Sequence, residues 1–189
     1  MTWTAIVPLK AAAARKTRLT GALESGAQAA LAVDMAAHVV ATLKQVDAIG
    51  QVRVLSPTCE DMPGTAWEPD RGQGLNAELD RVCRAMAGQR MLIVHADLPL
   101  VQAGDVAALI AAAEIAGAAI APDRHGKGTN ALAMREAAPV GFAFGPDSFA
   151  RHRQRMPDAA TVWRDGLAID IDTAEDIAAA GGALPLGRW

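Results

Sequence analysis

The stretch Met91-Leu92-Ile93-Val94-His95-Ala96-Asp97-Leu98-Pro99-Leu100 constrains the fold of this chain more than any other. Four consecutive apolar residues run into a carboxylate, and Pro99 keeps the run from continuing as an interior strand or a helix. A short apolar run closed by turn residues reads as a strand buried on both faces, as in a parallel sheet. Asp97 then falls just past the carboxyl end of that strand, the edge at which open α/β sheets bind ligands. A carboxylate placed there suits a hard divalent cation such as Mg²⁺, which takes oxygen ligands and shares them with substrate phosphates. The plainer alternative is that Asp97 caps the turn that follows it.

The first half of the chain repeats a strand-then-helix order around this run. Residues 3–7 are a β-rich segment closed by Pro8, and residues 9–19 form a loop that carries Lys10, Arg15, Lys16 and Arg18. Cations at a sheet's carboxyl edge can gather a polyphosphate, Lys as a point charge and Arg as a bidentate fork; a solvated basic turn is the simpler reading. Leu31, Met35, Val39 and Leu43 recur at a spacing of four and predict an amphipathic helix over 28–46, with His38 a structural residue on it. Residues 51–55 predict a second strand ended by Ser56-Pro57, and 65–67 a short strand inside a polar connection. Asp70-Arg71-Gly72-Gln73-Gly74-Leu75-Asn76 opens a helix to about residue 87, and glycines at such an entry leave N–H groups open to an anion or a base edge. Asp105 is the expected N-cap of a helix to about 116, followed by a strand over 118–121 ended by Pro122. This alternation predicts an α/β fold with right-handed crossovers, a mostly parallel central sheet and helices on both faces.

Composition narrows the function classes. A chain of 189 residues, 51% of them hydrophobic, suits one domain over 1–189 with a full core. The formal charge of -3 is made of interspersed acids and bases, so neither a nucleic-acid face nor a polybasic membrane patch is expected. Cys59 and Cys83 lack metal-site spacing and read as reduced thiols of a cytoplasmic protein. The N-terminus enters a strand directly, so no signal peptide is expected. The most apolar window, 106–122, is interrupted by Glu114 and Gly117 and reads as helix plus strand instead of a membrane span. The Ala-rich apolar helices offer surfaces for a homodimer.

Beyond Pro122 the order changes. Residues 123–130 form a polar loop, followed by apolar runs at 131–134 and 140–144. Pro146 in a first helical turn, with Ser148 beside it, predicts free N–H groups facing the Gly145 turn, a second anion pocket. Ser148 and His152 are four apart on one helix face, but no nucleophile elbow surrounds Ser148 and no acid orients His152, so a nucleophilic triad is not supported. Residues 167–173 alternate apolar and acidic side chains, which in a strand puts Asp170 and Asp172 on the same side. Two such carboxylates repel unless a cation lies between them, so the pair is a stronger metal signal than either Asp alone. Asp172 also fits the N-cap of a capping box with Glu175, opening a last helix over 174–180 ended by Gly181-Gly182.

A basic loop after the first strand, three carboxylates and several N–H-rich turns fit metal-assisted transfer from a nucleoside triphosphate. When the attacking group is already an anionic phosphate, catalysis is positioning plus charge neutralisation, and no protein nucleophile is required.

Six short motifs stand in one order along the chain: Pro8-Leu9-Lys10 with Lys16-Thr17-Arg18-Leu19; Gly74-Leu75-Asn76; His95-Ala96-Asp97-Leu98-Pro99; Gly128-Thr129-Asn130-Ala131-Leu132; Phe144-Gly145-Pro146-Asp147-Ser148-Phe149 with His152; and Asp170-Ile171-Asp172-Thr173. In these the chain resembles the 2-phospho-L-lactate guanylyltransferase family of coenzyme F-420 biosynthesis over nearly its full length. The resemblance implies a Rossmann-like, glycosyltransferase-A-like nucleotidyltransferase that joins GMP from GTP to a three-carbon phosphorylated acid and releases pyrophosphate. The acid would be 2-phospho-L-lactate, phosphoenolpyruvate or 3-phospho-D-glycerate. By that resemblance Asp97, Asp170 and Asp172 hold Mg²⁺, and Lys10, Lys16 and Arg18 hold the GTP phosphates. Gly74 and Asn76 lie near the nucleoside, and Thr129, Gly145 and Ser148 hold the acid. A downstream transferase would take the product. Two other readings stay open: a nucleotidyltransferase of the same fold acting on molybdopterin or a sugar 1-phosphate, and a non-catalytic nucleotide-binding regulator.

Overall fold

The computed structural model describes residues 2–9, 25–171 and 175–176. The run at 91–94 is strand β4 (Met91–Val94), buried at all four positions. Before it come β1 (Trp3–Pro8), helix α1 (Ser25–Leu43), β2 (Ile49–Ser56), β3 (Ala66–Pro69) and α2 (Leu75–Ala85). After it come α3 (Ala103–Ala116), β5 (Ala118–Pro122), β6 (Thr129–Met134), α4 (Ser148–Arg155), β7 (Ala160–Thr161) and α5 (Asp165–Ala168). Among the described residues these strands form one sheet in the order β3-β2-β1-β4-β6-β5-β7. The pairs β1–β2, β1–β4, β2–β3 and β5–β7 are parallel, so the mostly parallel sheet is borne out. The exception is β6, antiparallel to both β4 and β5. The order β3-β2-β1-β4 matches the first four positions of the doubly-wound order 3-2-1-4-5-6.

Strand alternation sends each strand's side chains to two separate cores. Ala5, Val7, Val52, Val54, Leu92, Val94, Ala119, Ala121, Ala131 and Ala133 face α1 and α3. Ile6, Leu55, Met91, Ile93, Ile120, Leu132 and Met134 face α2 and the segment around Phe142 and Phe144. The first face is lined with alanine where β5 and β6 meet α3, which lets the helix lie close to the sheet. Helices on both faces were the expectation, and the aliphatic core fills both layers. No described helix is long and apolar enough to cross a membrane.

Three local expectations are corrected. Asp105 is not the N-cap of α3: Gln102 is, and Asp105 stands at the third helical position, its carboxylate accepting the Gln102 backbone N–H at 3.0 Å in a capping box. The helix therefore starts three residues earlier than a lone cap at Asp105 implies. Pro146 precedes α4 instead of occupying its first turn, because Asp147, with φ 53°, is the N-cap. Residues 167 and 168 lie in α5, not in a strand. Their carbonyls accept from the Asn130 amide at 3.0 and 3.4 Å, and Ala168 O also from Arg124 N–H at 2.8 Å, so they are not available to a strand ladder. The final helix and Gly181-Gly182 lie outside the described residues apart from residues 175–176, which are helical.

Cys59 is exposed and Cys83 buried, and neither forms a disulfide. Burial, with Asp80 adding to it, pushes the Cys83 thiol up and keeps it protonated.

Gly166 is where α5 touches the loop that leaves Asp97. A Cβ at this position would lie 2.1 Å from Asp105 Oδ2, 2.8 Å from Leu100 O and 3.0 Å from the Val101 Cα. Gly166→Ala is therefore expected to displace the capping carboxylate of α3 and the 100–101 backbone. Overpacking of this kind costs about 1–3 kcal/mol. The check is a melting temperature lower by several degrees; an unchanged melt would show that the loop yields freely.

Candidate active site

The carboxyl edge of the sheet collects those predicted residues that are described, and short backbone bonds hold them. Leu9 N–H donates to Leu55 O at 2.8 Å, which extends the β1–β2 pairing one residue past β1. Lys10, Lys16 and Arg18, like Asp172, lie outside the described residues. On the other side of β1, His95 N–H donates to Asn130 O at 2.9 Å. Because β6 runs antiparallel, its first residues share this edge with the end of β4. Asn130 is buried, and its amide nitrogen also lies 3.2 Å from Asp170 Oδ1. Ile171 N–H donates to Asp97 O at 3.1 Å. Asp97 and Asp170 thus stand on neighbouring segments, both half-buried.

The entry to α2 is shaped by a residue the sequence reading passed over. Glu78 is buried, and its carboxylate accepts the N–H groups of Arg71 at 2.9 Å and Gln73 at 3.3 Å while pairing with Arg81 at 2.9 Å. Burial alone would raise its pKa, but the bonds from Arg81, Gln73 and Arg71 and the charge of Arg81 outweigh that and hold it below the usual carboxylate range. Arg81 also pairs with Glu68 at 2.9 Å, tying β3 to α2. The loop can curl around this carboxylate because Gly72 and Gly74 adopt φ of 78° and 88°, where other residues are strained. Space beside both glycines is open to 4 Å. Asn76 next to them holds Phe144 at both backbone groups, accepting its N–H at 2.7 Å and donating to its O at 3.1 Å. Its amide group thereby pins the segment that leads to Gly145.

A third wall is built from 123–129 and α4. The Asp123 carboxylate accepts N–H from His125 at 3.1 Å, Lys127 at 2.8 Å and Gly128 at 2.8 Å, which closes the loop into Thr129. Phe149 N–H donates to Lys127 O at 2.9 Å and docks the first turn of α4 on that loop. Ser148 N–H donates to Gly145 O at 3.1 Å, and Gly145 has φ 119°. Thr129 and Ser148 are each 2% exposed. His152, fully buried, joins them: its Nδ1 is 2.9 Å from Thr129 Oγ1 and its Nε2 accepts the Ala143 N–H at 3.0 Å. Burial, followed by the nearby charges of Arg155, Arg151 and His95, lowers its pKa to about 4. Phe144 packs edge-on to His152 with centroids 4.7 Å apart and tilts against His95 at 5.1 Å.

Two oxygen-donor side chains on adjoining segments suit Mg²⁺, which is commonly held by one or two carboxylates with phosphates and water completing its shell. Among the described residues no group of three His, Cys, Asp or Glu side chains could hold a metal by itself. Sequence reasoning singled out Thr129, Gly145, Ser148, Gly74 and Asn76, and the structure brings them to this edge. It missed the supporting set of Asn130, Asp123 and Glu78. Buried, a polar side chain must be satisfied by partners distant in sequence, and nothing local marks it.

Comparison with known proteins identifies the family and agrees with the fold. A family model described as guanylyl transferase CofC like matches residues 3–180. A phosphoenolpyruvate guanylyltransferase of Sphaerobacter thermophilus is 35% identical over 200 residues, covering 99% of this chain and 96% of the relative. One of Rubrobacter xylanophilus is 37% identical over 191 residues, covering 92% and 91%. Among solved structures, a protein from Desulfovibrio desulfuricans described as a nucleotide-diphospho-sugar transferase has a TM-score of 0.72 at 16% identity, covering 94% of this chain and 85% of that one. A 4-diphosphocytidyl-2C-methyl-D-erythritol synthase from Anaerococcus prevotii has a TM-score of 0.64 at 12% identity, covering 97% and 96%. The structural likenesses speak for the fold alone, whereas the family match spans nearly the whole chain at identities that carry membership. The chain belongs to the CofC-like guanylyl transferase family.

Proposed function

We propose that this chain transfers GMP from GTP to phosphoenolpyruvate with Mg²⁺, in coenzyme F-420 biosynthesis, and releases pyrophosphate. An oxygen of the acid's phosphate attacks the α-phosphorus of GTP. The bond from that phosphorus to the bridging oxygen breaks, and its electron pair leaves with pyrophosphate. The acid's phosphate is already an anion, so no proton has to be removed from it and no protein base is required. The observation that carries the reading is the joining of the Asp97 and Asp170 segments at the edge where Gly74, Thr129 and Ser148 also lie. The choice of acid rests on the relatives named phosphoenolpyruvate guanylyltransferase.

In this reading Asp97, Asp170 and Asp172 hold Mg²⁺, whose charge would offset that gathering on the phosphates. Lys10, Lys16 and Arg18 grip the triphosphate. The open backbone at Gly74 and the start of α2 at Asn76 border the nucleoside. Thr129, Gly145 and Ser148 orient the acid so that its phosphate faces the α-phosphorus, the positioning that makes an anionic nucleophile effective.

The test is pyrophosphate release from GTP and Mg²⁺ with phosphoenolpyruvate, 3-phospho-D-glycerate and 2-phospho-L-lactate supplied separately, with CTP and ATP as controls and mass analysis of the product. Release with GTP and phosphoenolpyruvate, giving a product of the joined mass, is expected. Release with another acid alone would overturn the choice of acceptor. Silence with all three, while GTP still binds, would overturn guanylyl transfer to these acids.

A further inference from the structure

His152 has no assigned part in the reaction, and the geometry around it leaves one arrangement of protons. Its Nε2 lies 3.0 Å from the Ala143 backbone nitrogen. A backbone N–H can only donate, so Nε2 accepts and carries no proton. In a neutral imidazole the proton is then on Nδ1, which donates to Thr129 Oγ1 at 2.9 Å. An imidazolium would set two N–H groups against each other at Ala143. The charged groups around the ring are Arg151 and Arg155 on its own helix and His95 from the end of β4, all cationic or able to become so. They and burial disfavour the imidazolium, in agreement with the hydrogen bonds. The edge-on Phe144 ring, 4.7 Å away, keeps the imidazole from turning.

With a lone pair of Thr129 Oγ1 occupied by the imidazole proton, the hydroxyl's own hydrogen must point elsewhere. We propose that His152 is a positioning residue that holds the Thr129 hydroxyl as a donor to an anionic oxygen of the acid substrate, a carboxylate or phosphate oxygen. This rests on the reading of Thr129 as a contact to the acid. His152 itself touches no substrate. It sets the direction of a hydroxyl that otherwise rotates between donor and acceptor roles, and rotation would leave part of the population facing the anion with a lone pair.

The test combines steady-state kinetics with nitrogen NMR. Thr129→Val keeps the shape of the side chain and removes the hydroxyl; His152→Phe fills the space without hydrogen bonds; His152→Asn keeps a donor near the position of Nδ1. Loss of one hydrogen bond to a charged group corresponds to about tenfold or more in binding. Thr129→Val and His152→Phe are each expected to raise the KM of the acid by about that factor with the KM of GTP within about twofold. The double variant should be no worse than Thr129→Val, and His152→Asn should recover most of the loss. Additive effects of the two single variants, or an equal rise of both KM values in His152→Phe, would overturn the link between His152 and Thr129 and leave the acid contact standing. An unchanged acid KM in Thr129→Val would overturn the acid contact itself and the proposal with it. Independently of any variant, a long-range proton–nitrogen spectrum of the unmodified protein near neutral pH should show His152 protonated at Nδ1 alone. The opposite tautomer or an imidazolium would overturn the arrangement.

Discussion

The Asp97→Asn variant is expected to turn over GTP and phosphoenolpyruvate about 10²- to 10⁴-fold more slowly than the unmodified enzyme while folding normally. The substitution keeps the shape of the side chain and removes its charge. The main-chain oxygen that accepts the Ile171 N–H at 3.1 Å is untouched, so the bond joining the 95–97 and 169–171 segments survives. A cation at this edge would lose one of its anionic ligands, and the pyrophosphate would leave with less of its charge neutralised. The measurement is kcat at saturating substrates over a range of Mg²⁺, beside a melting curve. A kcat within a few-fold of normal, with the same Mg²⁺ dependence, would sink the metal assignment. A collapsed melting temperature would instead assign Asp97 to stability.

Much of the fold could be read from the chain because short aliphatic runs end in residues that stop strands. β1 ends at Pro8, β2 at Ser56 before Pro57, and β5 at Pro122; β4 is closed by the Asp97-Leu98-Pro99 turn. β4 and β5 are interior to a sheet covered on both faces, which removes the polar alternation and leaves an apolar block, whereas in β2 Gln51 and Arg53 alternate with the buried valines. The same property hid the direction of β6. Residues 129–134 are buried throughout, so nothing in their pattern says whether they run with or against β4. That is decided by long-range pairing, Leu92 with Ala133 and Ile120 with Leu132. Residues 167–171 failed in the opposite sense. Their alternation imitates a strand, but residues 167 and 168 end α5, and the Asn130 amide and the Arg124 N–H bond their carbonyls there.

The site divides along the same line. The position of Asp97 was legible because the apolar run of β4 and Pro99 bracket it at the carboxyl edge of the sheet. Gly145 and Ser148 stood out as a helix-entry anion pocket, whereas Thr129 was singled out only through motif resemblance. His152 links Thr129 to the Ala143 backbone, 23 residues from the one and nine from the other, and no spacing rule joins those positions. Asn76 was placed near the nucleoside, and the structure adds that its side-chain amide engages both backbone groups of Phe144. Long-range satisfaction of buried polar groups is a property of the folded topology, and local sequence does not carry it.

The buried His152 also makes a definite statement about acid stability. Its pKa falls from 6.5 to about 4 on folding, with burial the largest cause and the charges of Arg155, Arg151 and His95 adding to it. Between those two values the unfolded chain binds a proton that the folded protein refuses, so unfolding becomes easier as the pH drops. The stabilisation is complete above pH 6.5 and is lost progressively down to about 4, amounting to about 3 kcal/mol over the whole window. Glu78 and Glu114 contribute in a lower range. Their folded pKa values lie below 4.5, so the stability they add is present above that value and is lost only as the pH falls through their folded values. The two effects can therefore be separated by pH. Urea unfolding of the unmodified protein should show a free energy that declines from neutral pH toward about pH 4.5, with a slope approaching 1.4 kcal/mol per unit. In His152→Asn, which has no group to titrate there, the decline over the same interval should flatten although the protein starts less stable. An equally steep decline in that variant would mean that another group carries the acid sensitivity and that His152 is less shielded from solvent protons than its geometry requires.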